Sequence, residues 1–509
     1  MTQEFFIQQI KNHGLTIEEV ERQLKVFKKG TPSVHLSKAA TIDDGIKVID
    51  HHRQAALSNI FDQNSSTVKI VKFVPASGAA SRMFRDLETL VLEHQEIDDT
   101  VLNLDSNPAK SGKKFIQDLL EFPFYKKLKK CLEENGYEIA TLLKEKKYTP
   151  IFKLLLNPEG LNYSASPKAI IEFHSYKDEV RTAFEEHFVE GIEYGSSENV
   201  VYLHFTVSPD FEDELRALAD DLISKYKKEN ISFKVSFSFQ QPSTDTIAVT
   251  LNNDPFIKDD GNILFRPGGH GALLQNLNNV SGDVVFIKNI DNVLPDRLKP
   301  DTIHWKKVLG GKLLEIREQV FNFLNQIDAN TFNPVEISEY IKNELNLSHP
   351  QLDENPTAEL LKFLLNRPIR VCGMVENKGE PGGGPYWVKK EELVNSLQIV
   401  ETSQMDLNNE AQRKLVEQAT HFNPVDIVCM LNNYKGETFE LDDFIDPNTA
   451  FIANKSYEGR ALKALERPGL WNGGMAHWIT IFVEVPVSTF NPVKTVFDLL
   501  RDGHKEIRK

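Results

Sequence analysis

The stretch Val68-Lys-Ile-Val-Lys-Phe-Val-Pro75-Ala-Ser-Gly78-Ala-Ala-Ser-Arg82-Met83 decides the fold class. Its first half alternates apolar and charged residues and then becomes apolar, which is typical of a strand that enters a buried sheet. The small residues after Pro75 predict a tight loop, and a helix is predicted from about Met83 to Glu93. A strand, a short loop and a helix in this order predict an α/β sheet with helical cover.

The alternation of apolar strand-like runs with helical stretches continues along the chain. Strands are predicted at 200–205, 233–239, 284–287, 369–375 and 478–485, with a clear helix at 211–227. Long Lys-, Glu- and Leu-rich stretches between them read as helices. We therefore predict an N-terminal helical segment at 1–64, an α/β core at 65–298 with a helical insertion at about 92–160, a second helical insertion at 299–366, and the remainder of the core at 367–509.

The composition of the 509-residue chain excludes several classes of protein. With 40% hydrophobic and 26% charged residues the chain is an ordinary globular protein. The net charge of -15 and the dispersed basic residues argue against binding to nucleic acid. No apolar stretch approaches the roughly 20 residues that span a bilayer, and residues 1–25 lack a signal-peptide core. Three scattered cysteines form neither a disulfide framework nor a zinc site by themselves. We expect a cytoplasmic protein.

The loop after the first strand has the composition of a phosphate-binding loop. The small residues Ala76, Ser77, Gly78 and Ala79 allow backbone N–H groups to approach an anion, and the following helix adds a partial positive charge at its N-terminus. Arg82 would add a guanidinium group. The alternative is a tight turn beside a surface arginine. Lys168, just before the apolar run 169–171, is a second candidate cation, with a solvated loop lysine as its alternative.

A second group of polar residues lies further along the chain. Gln240 and Gln241 end a predicted strand, and an amide side chain both donates to and accepts from the edge of a base. Glycines in Arg266-Pro-Gly-Gly-His-Gly271 would let the backbone approach a flat base. The strand that begins at Val284 is predicted to end in Asp291-Asn292, which places Asp291 at its carboxyl end, where a carboxylate would hold Mg²⁺. Each element alone is more often an ordinary turn or helix cap.

Taken in order, these segments resemble the sugar nucleotidyltransferases. Pro75–Met83 resembles their glycine-rich loop, although Ala79-Ala80-Ser81 replaces the usual Gly-Thr pattern, and Pro167-Lys168-Ala169 resembles their PKA element. The series Phe239-Gln-Gln-Pro242, Arg266–Gly271 and Asp291-Asn292 resembles the UDP-sugar pyrophosphorylases. Residues 397–406 resemble the strand that contacts the sugar in those enzymes, and residues 490–500 resemble a segment whose lysine contacts substrate phosphates.

The resemblance implies a Rossmann-like, GT-A-like mixed-sheet domain with its nucleotide-binding part at 65–298 and its sugar-phosphate side at 367–509. It implies that Arg82, Lys168 and Lys494 bind substrate phosphates and that Asp291 binds Mg²⁺. The base and nucleotide phosphates would contact Ala76, Ser77, Gly78, Ala79, Gln240, Gln241, Gly269, His270 and Gly271. Glu401 and Asn472 would contact the sugar, with a surface carboxylate and a packed turn as their respective alternatives.

The chain as a whole resembles an uncharacterised bacterial family catalogued as domain of unknown function 4301. The resemblances imply transfer of a nucleotidyl group, with UTP favoured, to a sugar 1-phosphate. A non-catalytic nucleotide- or sugar-phosphate-binding protein and a glycosyltransferase of the same fold are the rival hypotheses. Asp291-Asn-Val293 lacks the second aspartate of a DxD motif, which counts against the glycosyltransferase. His187 and His204 are predicted to be core or supporting residues. The sugar and the oligomeric state stay open.

Overall fold

A computed structural model of the chain describes residues 3–42, 44–227, 230–380, 382–389 and 394–506. The helices are α1 (Gln3–Asn12), α2 (Ile17–Lys29), α3 (His51–Asn64), α4 (Arg85–Glu93), α5 (Asp99–Leu102), α6 (Asn107–Gln117), α7 (Tyr125–Glu134), α8 (Ile139–Glu145), α9 (Thr149–Leu156), α10 (Ala183–Tyr194), α11 (Glu212–Tyr226), α12 (Leu273–Asn278), α13 (Lys299–Asp328), α14 (Pro334–Asn343), α15 (Ala358–Leu365) and α16 (Glu410–Glu417). The strands are β1 (Leu36–Ala39), β2 (Thr41–Ile42), β3 (Gly45–Lys47), β4 (Ile70–Pro75), β5 (Glu172–Ser175), β6 (Val180–Thr182), β7 (Ser196–Ser197), β8 (Val200–Val207), β9 (Ser232–Phe239), β10 (Thr246–Ile247), β11 (Phe265–Arg266), β12 (Val284–Ile287), β13 (Ile369–Glu376), β14 (Gly384–Lys389), β15 (Asn395–Val400), β16 (His421–Phe422), β17 (Ile427–Met430), β18 (Phe451–Tyr457), β19 (Arg460–Glu466) and β20 (Ile479–Glu484).

The chain divides into two compact units that are each built from three separate stretches. Unit 1 comprises 1–73, 238–287 and 305–487, and unit 2 comprises 74–237, 288–304 and 488–509. The predicted α/β core therefore contributes to both units, because its strands and helices alternate between them along the sequence.

Unit 1 contains a mixed sheet in the order β2-β3-β20-β13-β17-β12-β4. Strand β17 is antiparallel to both of its neighbours, whereas β12 is parallel to β4 and β13 is parallel to β20. All four residues of β12 are buried, as is typical of a strand that is covered on both faces. This sheet confirms the predicted mixed α/β class.

Unit 2 combines helices with short strand pairs. Helices α4 to α9 occupy the stretch predicted as the first helical insertion, and side chains of Asp98 and Ser106 cap two of them. Strand β8 pairs with β7 and β9, and β5 pairs with β6. Helix α10 is buried over most of its length, including its glutamates Glu185, Glu186 and Glu190.

Two expectations about element boundaries were wrong. Residues 1–64 are not wholly helical, because β1, β2 and β3 lie between α2 and α3. Strands β1 and β3 take backbone partners from distant strands, with Leu36 opposite Val388 and Ile46 opposite Phe482, and β2 pairs with β3. The strand before Asp291 ends at Ile287, so that Asp291 lies in a turn four residues further on.

Two local features were not predicted. Strands β18 and β19 form a hairpin whose two-residue turn, Glu458-Gly459, has positive φ angles of 47° and 76°, as a type I′ turn requires. In the 30-residue helix α13, Gly310 and Gly311 lie against α3 so closely that a Cβ on Gly311 would be 1.9 Å from the Leu57 carbonyl oxygen. Among the described residues, no helix has both the length and the apolar character needed to cross a membrane.

Candidate functional site

Four segments of unit 2 that are far apart in sequence are joined to one another by hydrogen bonds. They are the loop 76–82, Ser166–Lys168, Asp291-Asn292 and Asn491–Lys494, which we call the Lys168 cluster. The loop is fixed to the second segment, because Ala80 N–H donates to the Ser166 carbonyl at 2.8 Å and Ala79 forms a bridge with Pro167. The predicted glycine-rich loop and the predicted lysine element therefore lie side by side.

The Lys168 side chain connects the other two segments. Its Nζ donates to Asp291 Oδ2 at 2.7 Å and to the Val493 carbonyl at 2.6 Å. The Val493 N–H in turn donates to the Asp291 carbonyl at 3.2 Å. The lysine and aspartate side chains are only 14% and 18% exposed, so solvent weakens their attraction less than at an open surface.

Asn292 and Asp498 hold the C-terminal segment in place, and neither was predicted to do so. The Asn292 Oδ1 accepts from the Asn491 N–H at 2.8 Å. The Asp498 carboxylate accepts from the N–H groups of Lys494 and Thr495 at 2.7 Å each. Their positions in the motifs could have indicated these roles, since Asn292 follows Asp291 directly and Asp498 lies four residues after Lys494.

The cluster presents several groups suited to an anion. The N–H groups of Ser77, Gly78 and Ala79 donate to no residue that the structure describes. The side chains of Arg82 and Lys494 are exposed and likewise form no ion pair within the described ranges. Consecutive backbone N–H groups and nearby cations are the usual elements of a phosphate site.

Ala76 differs from the other three loop residues. Its N–H donates to the Thr206 carbonyl at 2.8 Å, and the residue is fully buried. Pairing with β8 therefore already uses the Ala76 N–H group, and a contact of Ala76 with the nucleotide stays a prediction.

Asp291 is the candidate metal ligand of the cluster. No group of three or more His, Cys, Asp or Glu side chains suited to a metal ion is found in the described part of the chain. A single carboxylate does fit Mg²⁺, which is commonly bound by one or two carboxylates together with phosphate oxygens and water. The donor set therefore fits an ion that arrives with a phosphorylated substrate, and it does not form a complete protein cage.

A second group of predicted residues meets in unit 1. This His270 cluster comprises Gln240, Gly269–Gly271, Glu401, Gly469 and Trp471-Asn472. The Gln240 Nε2 donates to the Gly269 carbonyl at 3.3 Å, which joins the two predicted base-binding motifs. Gln241 is exposed, and its Nε2 makes only a long contact of 3.4 Å to the Phe239 carbonyl.

The His270 ring has a defined orientation. Its Nδ1 accepts from the Leu470 N–H at 3.0 Å, so the proton of the neutral ring lies on Nε2. That nitrogen faces Glu401 Oε1 at 3.3 Å. The ring also stacks on Trp471, with centroids 4.1 Å apart and an angle of 17° between the planes. The predicted nucleotide residue His270 and the predicted sugar residue Glu401 are therefore direct neighbours.

Asn472 is buried beside this pair. Its Oδ1 accepts from the Gly473 N–H at 2.9 Å, whereas its Nδ2 is buried with no hydrogen-bond acceptor among the described residues. Gly469 separates the two side chains, because a Cβ there would be 2.2 Å from both Asn472 Oδ1 and His270 Cε1. The cluster thus contains one free buried donor and one half-exposed carboxylate.

The glycines of the Arg266–Gly271 motif have a structural explanation that the sequence did not reveal. A Cβ on Gly268 would be 2.7 Å from the Thr244 carbonyl oxygen, and a Cβ on Gly271 would be 2.3 Å from the Pro468 carbonyl oxygen. The close backbone approach at these two glycines is therefore to the chain's own backbone. A role of Gly269 and Gly271 in base binding stays a prediction.

Unit 2 also contains a buried ionic network around Glu186. Glu186 accepts from Lys299 at 2.6 Å and lies 2.8 Å from His174 Nδ1. Burial by itself would raise the pKa of Glu186, but His174 and Lys299 lower the pKa below its ordinary value.

His187 Nε2 lies 3.1 Å from the Ile290 carbonyl, next to Asp291 in sequence, which confirms its predicted core position. Burial lowers the pKa of His204 to about 4.

A family model with the description "Domain of unknown function (DUF4301)" matches residues 3–505. The chain belongs to the DUF4301 family. No curated protein matches the DUF4301 chain. Among solved structures it is similar to the uridine diphosphate N-acetylglucosamine pyrophosphorylase from Trypanosoma brucei, solved in complex with an inhibitor, at 12% identity and a TM-score of 0.50 over 95% of this chain and 74% of that one.

The DUF4301 chain also matches the UDP-glucose pyrophosphorylase from Leishmania major, at 12% identity and a TM-score of 0.44, over 98% of this chain and 78% of that one. The first likeness shows a similar fold. It confirms the predicted resemblance at the level of the fold. The family model confirms the predicted DUF4301 membership.

Proposed function

We propose that this protein is a magnesium-dependent nucleotidyltransferase with a GT-A-like domain, which makes a nucleotide sugar and pyrophosphate from a nucleoside triphosphate and a sugar 1-phosphate, with UTP favoured. The observation that carries the proposal is the Lys168 cluster. Four motif segments spread over more than 400 positions are bonded together there, and they present free N–H groups, two free cations and one carboxylate.

The proposed reaction needs positioning and charge neutralisation more than acid–base chemistry. An oxygen of the sugar 1-phosphate attacks the α-phosphorus of the triphosphate, the bond from that phosphorus to the bridging oxygen breaks, and pyrophosphate leaves with the electron pair. The nucleophile is already an anion, so no general base is required. Such transfers depend chiefly on alignment and on electrostatic stabilisation of the phosphoryl oxygens.

The residues of the cluster have distinct proposed roles. The N–H groups of Ser77, Gly78 and Ala79 and the guanidinium of Arg82 bind the triphosphate, and Lys494 binds the sugar phosphate. Lys168, fixed by Asp291 and by the Val493 carbonyl, holds a positive charge between these groups. Asp291 would hold Mg²⁺. When bound, the ion would neutralise phosphate charge.

The His270 cluster supplies the proposed contacts to the base and sugar. Gln240, Gln241 and Gly269–Gly271 are assigned to the base. The Glu401 carboxylate accepts from sugar hydroxyls, and the free Nδ2 of Asn472 donates to a sugar oxygen. A buried donor without an acceptor is costly unless a ligand satisfies it, which favours a polar ligand at this point.

The decisive test is pyrophosphate release by the purified full-length protein with UTP, Mg²⁺ and a panel of sugar 1-phosphates. Turnover with one of them is expected, and CTP, ATP and GTP replace UTP to test the base. If no sugar phosphate gives pyrophosphate while UTP still raises the melting temperature, the protein is a nucleotide-binding protein without this activity. Release of free UDP from a UDP-sugar in the presence of acceptors would instead indicate a glycosyltransferase.

A further inference from the structure

Unit 1 contains a cavity of about 740 Å³ between α2, the segment 442–450 and the segment 465–468. This volume lies within the range of roughly 300–1,000 Å³ that is typical of small-molecule sites. Gln240, Gln241, Gly269 and His270 do not line it, and Gly271 alone of the predicted base-binding residues does. The cavity is therefore distinct from the surroundings of the His270 ring.

The walls of the cavity are largely apolar. Side chains of Val26, Leu274, Ile445, Ala450 and Leu465 contribute to them. Leu465 is buried and belongs to a core cluster that also contains residues of α1 and α2. The apolar walls are thus part of the packed core of unit 1, which favours a preformed cavity for an apolar body.

One side of the cavity carries positive charge. Arg22, Lys25 and Lys29 follow one another at helical spacing along the same face of α2. Arg22 is neutralised, because Nε and Nη2 donate to the Glu19 carboxylate at 2.7 and 2.8 Å. Lys25 and Lys29 are exposed and pair with no carboxylate in the part of the chain that the structure describes.

Arg467 adds a further cation to the lining. Its Nη2 donates to the Ser243 carbonyl at 3.2 Å, and the nearest carboxylate oxygen, on Glu19, is 3.9 Å away. The Arg467 Nε is buried and has no acceptor among the described residues. Asp442 is the acidic residue of the lining, and its Oδ2 already accepts from Gln275 at 2.6 Å. The lining therefore has an excess of unneutralised positive charge and a free buried donor.

We infer that this cavity binds a small organic anion, with an apolar body against Val26, Leu274 and Leu465 and an anionic group toward Lys25, Lys29 and Arg467. The inference does not depend on the proposed nucleotidyltransferase activity. It assigns a second ligand site to unit 1, and the chemistry of its ligand is amphipathic rather than purely polar.

A matched pair of fluorescent dyes tests the inference on the full-length protein. Anilinonaphthalene sulfonate has an apolar ring system and one negative charge, and N-phenylnaphthylamine has the same ring system without the charge. Saturable binding of the anionic dye is expected. Lys25→Gln/Lys29→Gln should weaken it about tenfold, the effect of two partly screened charges, and should leave the neutral dye unchanged.

The control variant Lys11→Gln/Lys28→Gln removes the same two charges from exposed positions on α1 and α2 that do not line the cavity. It should leave both dyes unchanged, whereas Ala450→Trp, which fills the cavity, should weaken both. An unchanged affinity for the anionic dye in Lys25→Gln/Lys29→Gln, or an equal loss in the control, would overturn the inference. The lysine pair decides the question even if Ala450→Trp fails to fold, because both lysines are exposed.

Discussion

Lys168 and Asp291 depend on each other, since their mostly buried charges lie 2.7 Å apart. Lys168→Met and Asp291→Asn should each lower kcat for pyrophosphate release about 100- to 1,000-fold, by analogy with the loss of one preorganised donor at an oxyanion. Lys144→Met removes an exposed lysine of α8 in the same unit and serves as the control. Melting temperatures separate lost chemistry from lost folding. Retained turnover in either variant would refute the role given to that residue.

The ion pair between Glu190 and Lys288 affects stability rather than chemistry. Its nitrogen and oxygen are 2.7 Å apart, and both side chains are almost completely buried. Glu190→Gln or Lys288→Met alone should lower the free energy of unfolding by about 3–5 kcal/mol, because each removes one half of a buried ion pair and leaves the opposite charge in the core. The double variant should lose less than the sum of the two. Urea titrations measure this, and strictly additive losses would contradict it.

His204 should make stability depend on pH. Its pKa is about 4 in the folded protein, against an ordinary value of 6.5, because burial disfavours the charged ring. Between these values the unfolded chain binds a proton that the folded chain does not. The contribution is complete above pH 6.5 and is lost as the pH falls toward 4, by roughly 3 kcal/mol in all. The difference in unfolding free energy between pH 7 and pH 5 should therefore be smaller in His204→Gln, and an equal difference would refute this assignment.

Within the loops that join these elements, replacing two different glycines by alanine should have opposite effects on UTP affinity and on melting temperature. A Cβ on Gly78 would meet nothing within 4 Å, whereas a Cβ on Gly271 would be 2.3 Å from the Pro468 carbonyl oxygen. Gly78→Ala should keep its melting temperature and lose UTP affinity about tenfold, since the methyl group would hinder phosphate at the free N–H groups. Gly271→Ala should lower the melting temperature instead. Calorimetry of UTP binding and thermal unfolding check both, and unchanged affinity in Gly78→Ala would remove the loop from the site.

The longer elements were predictable and the shorter ones were not. Strands β4, β8 and β12 are apolar enough to be predicted from the sequence, and helix α11 has a clear helical pattern. Strands β1 to β3 contain two to four residues each, and β1 and β3 pair with strands more than 300 residues away. Such pairing leaves no periodicity in a local window. The β18–β19 hairpin did leave a signal, the Gly459 turn between two strand-like runs, which was overlooked.

The same limit applies to the candidate site. The sequence identified Lys168 and Asp291 as separate phosphate and metal residues, but the ion pair between them spans 123 positions. It likewise identified His270, Glu401 and Asn472 without the stacking of Trp471 on the imidazole ring. Motifs indicate which residue types are present, whereas the partners that neutralise or orient them depend on tertiary packing. That is why the hydrogen bond from the Ala76 N–H group to Thr206 was not predicted either.

For the whole molecule, the net charge of -15 opposes the approach of a triphosphate. Under the proposed function, local cations and a divalent ion therefore offset the repulsion between the two phosphorylated substrates. Removal of divalent ions with EDTA should abolish pyrophosphate release, and added Mg²⁺ should restore it. The described residues offer no complete protein cage for the ion, so recovery should require millimolar rather than trace Mg²⁺. Full turnover in EDTA would contradict the assignment of Asp291.

The contact between α3 and α13 also bears on attempts to make the protein more robust. Replacing a helical glycine by alanine usually gains about 1 kcal/mol, so Gly310 and Gly311 look like obvious targets for thermostabilisation. Here the added methyl groups would collide with Phe61 and with the backbone of Leu57, and the two helix axes would have to separate. Because neither glycine has a side chain, the two helices can pack with their backbones in close contact at this point. Engineers who screen glycines by helix propensity alone should exclude these two, or redesign both helices together.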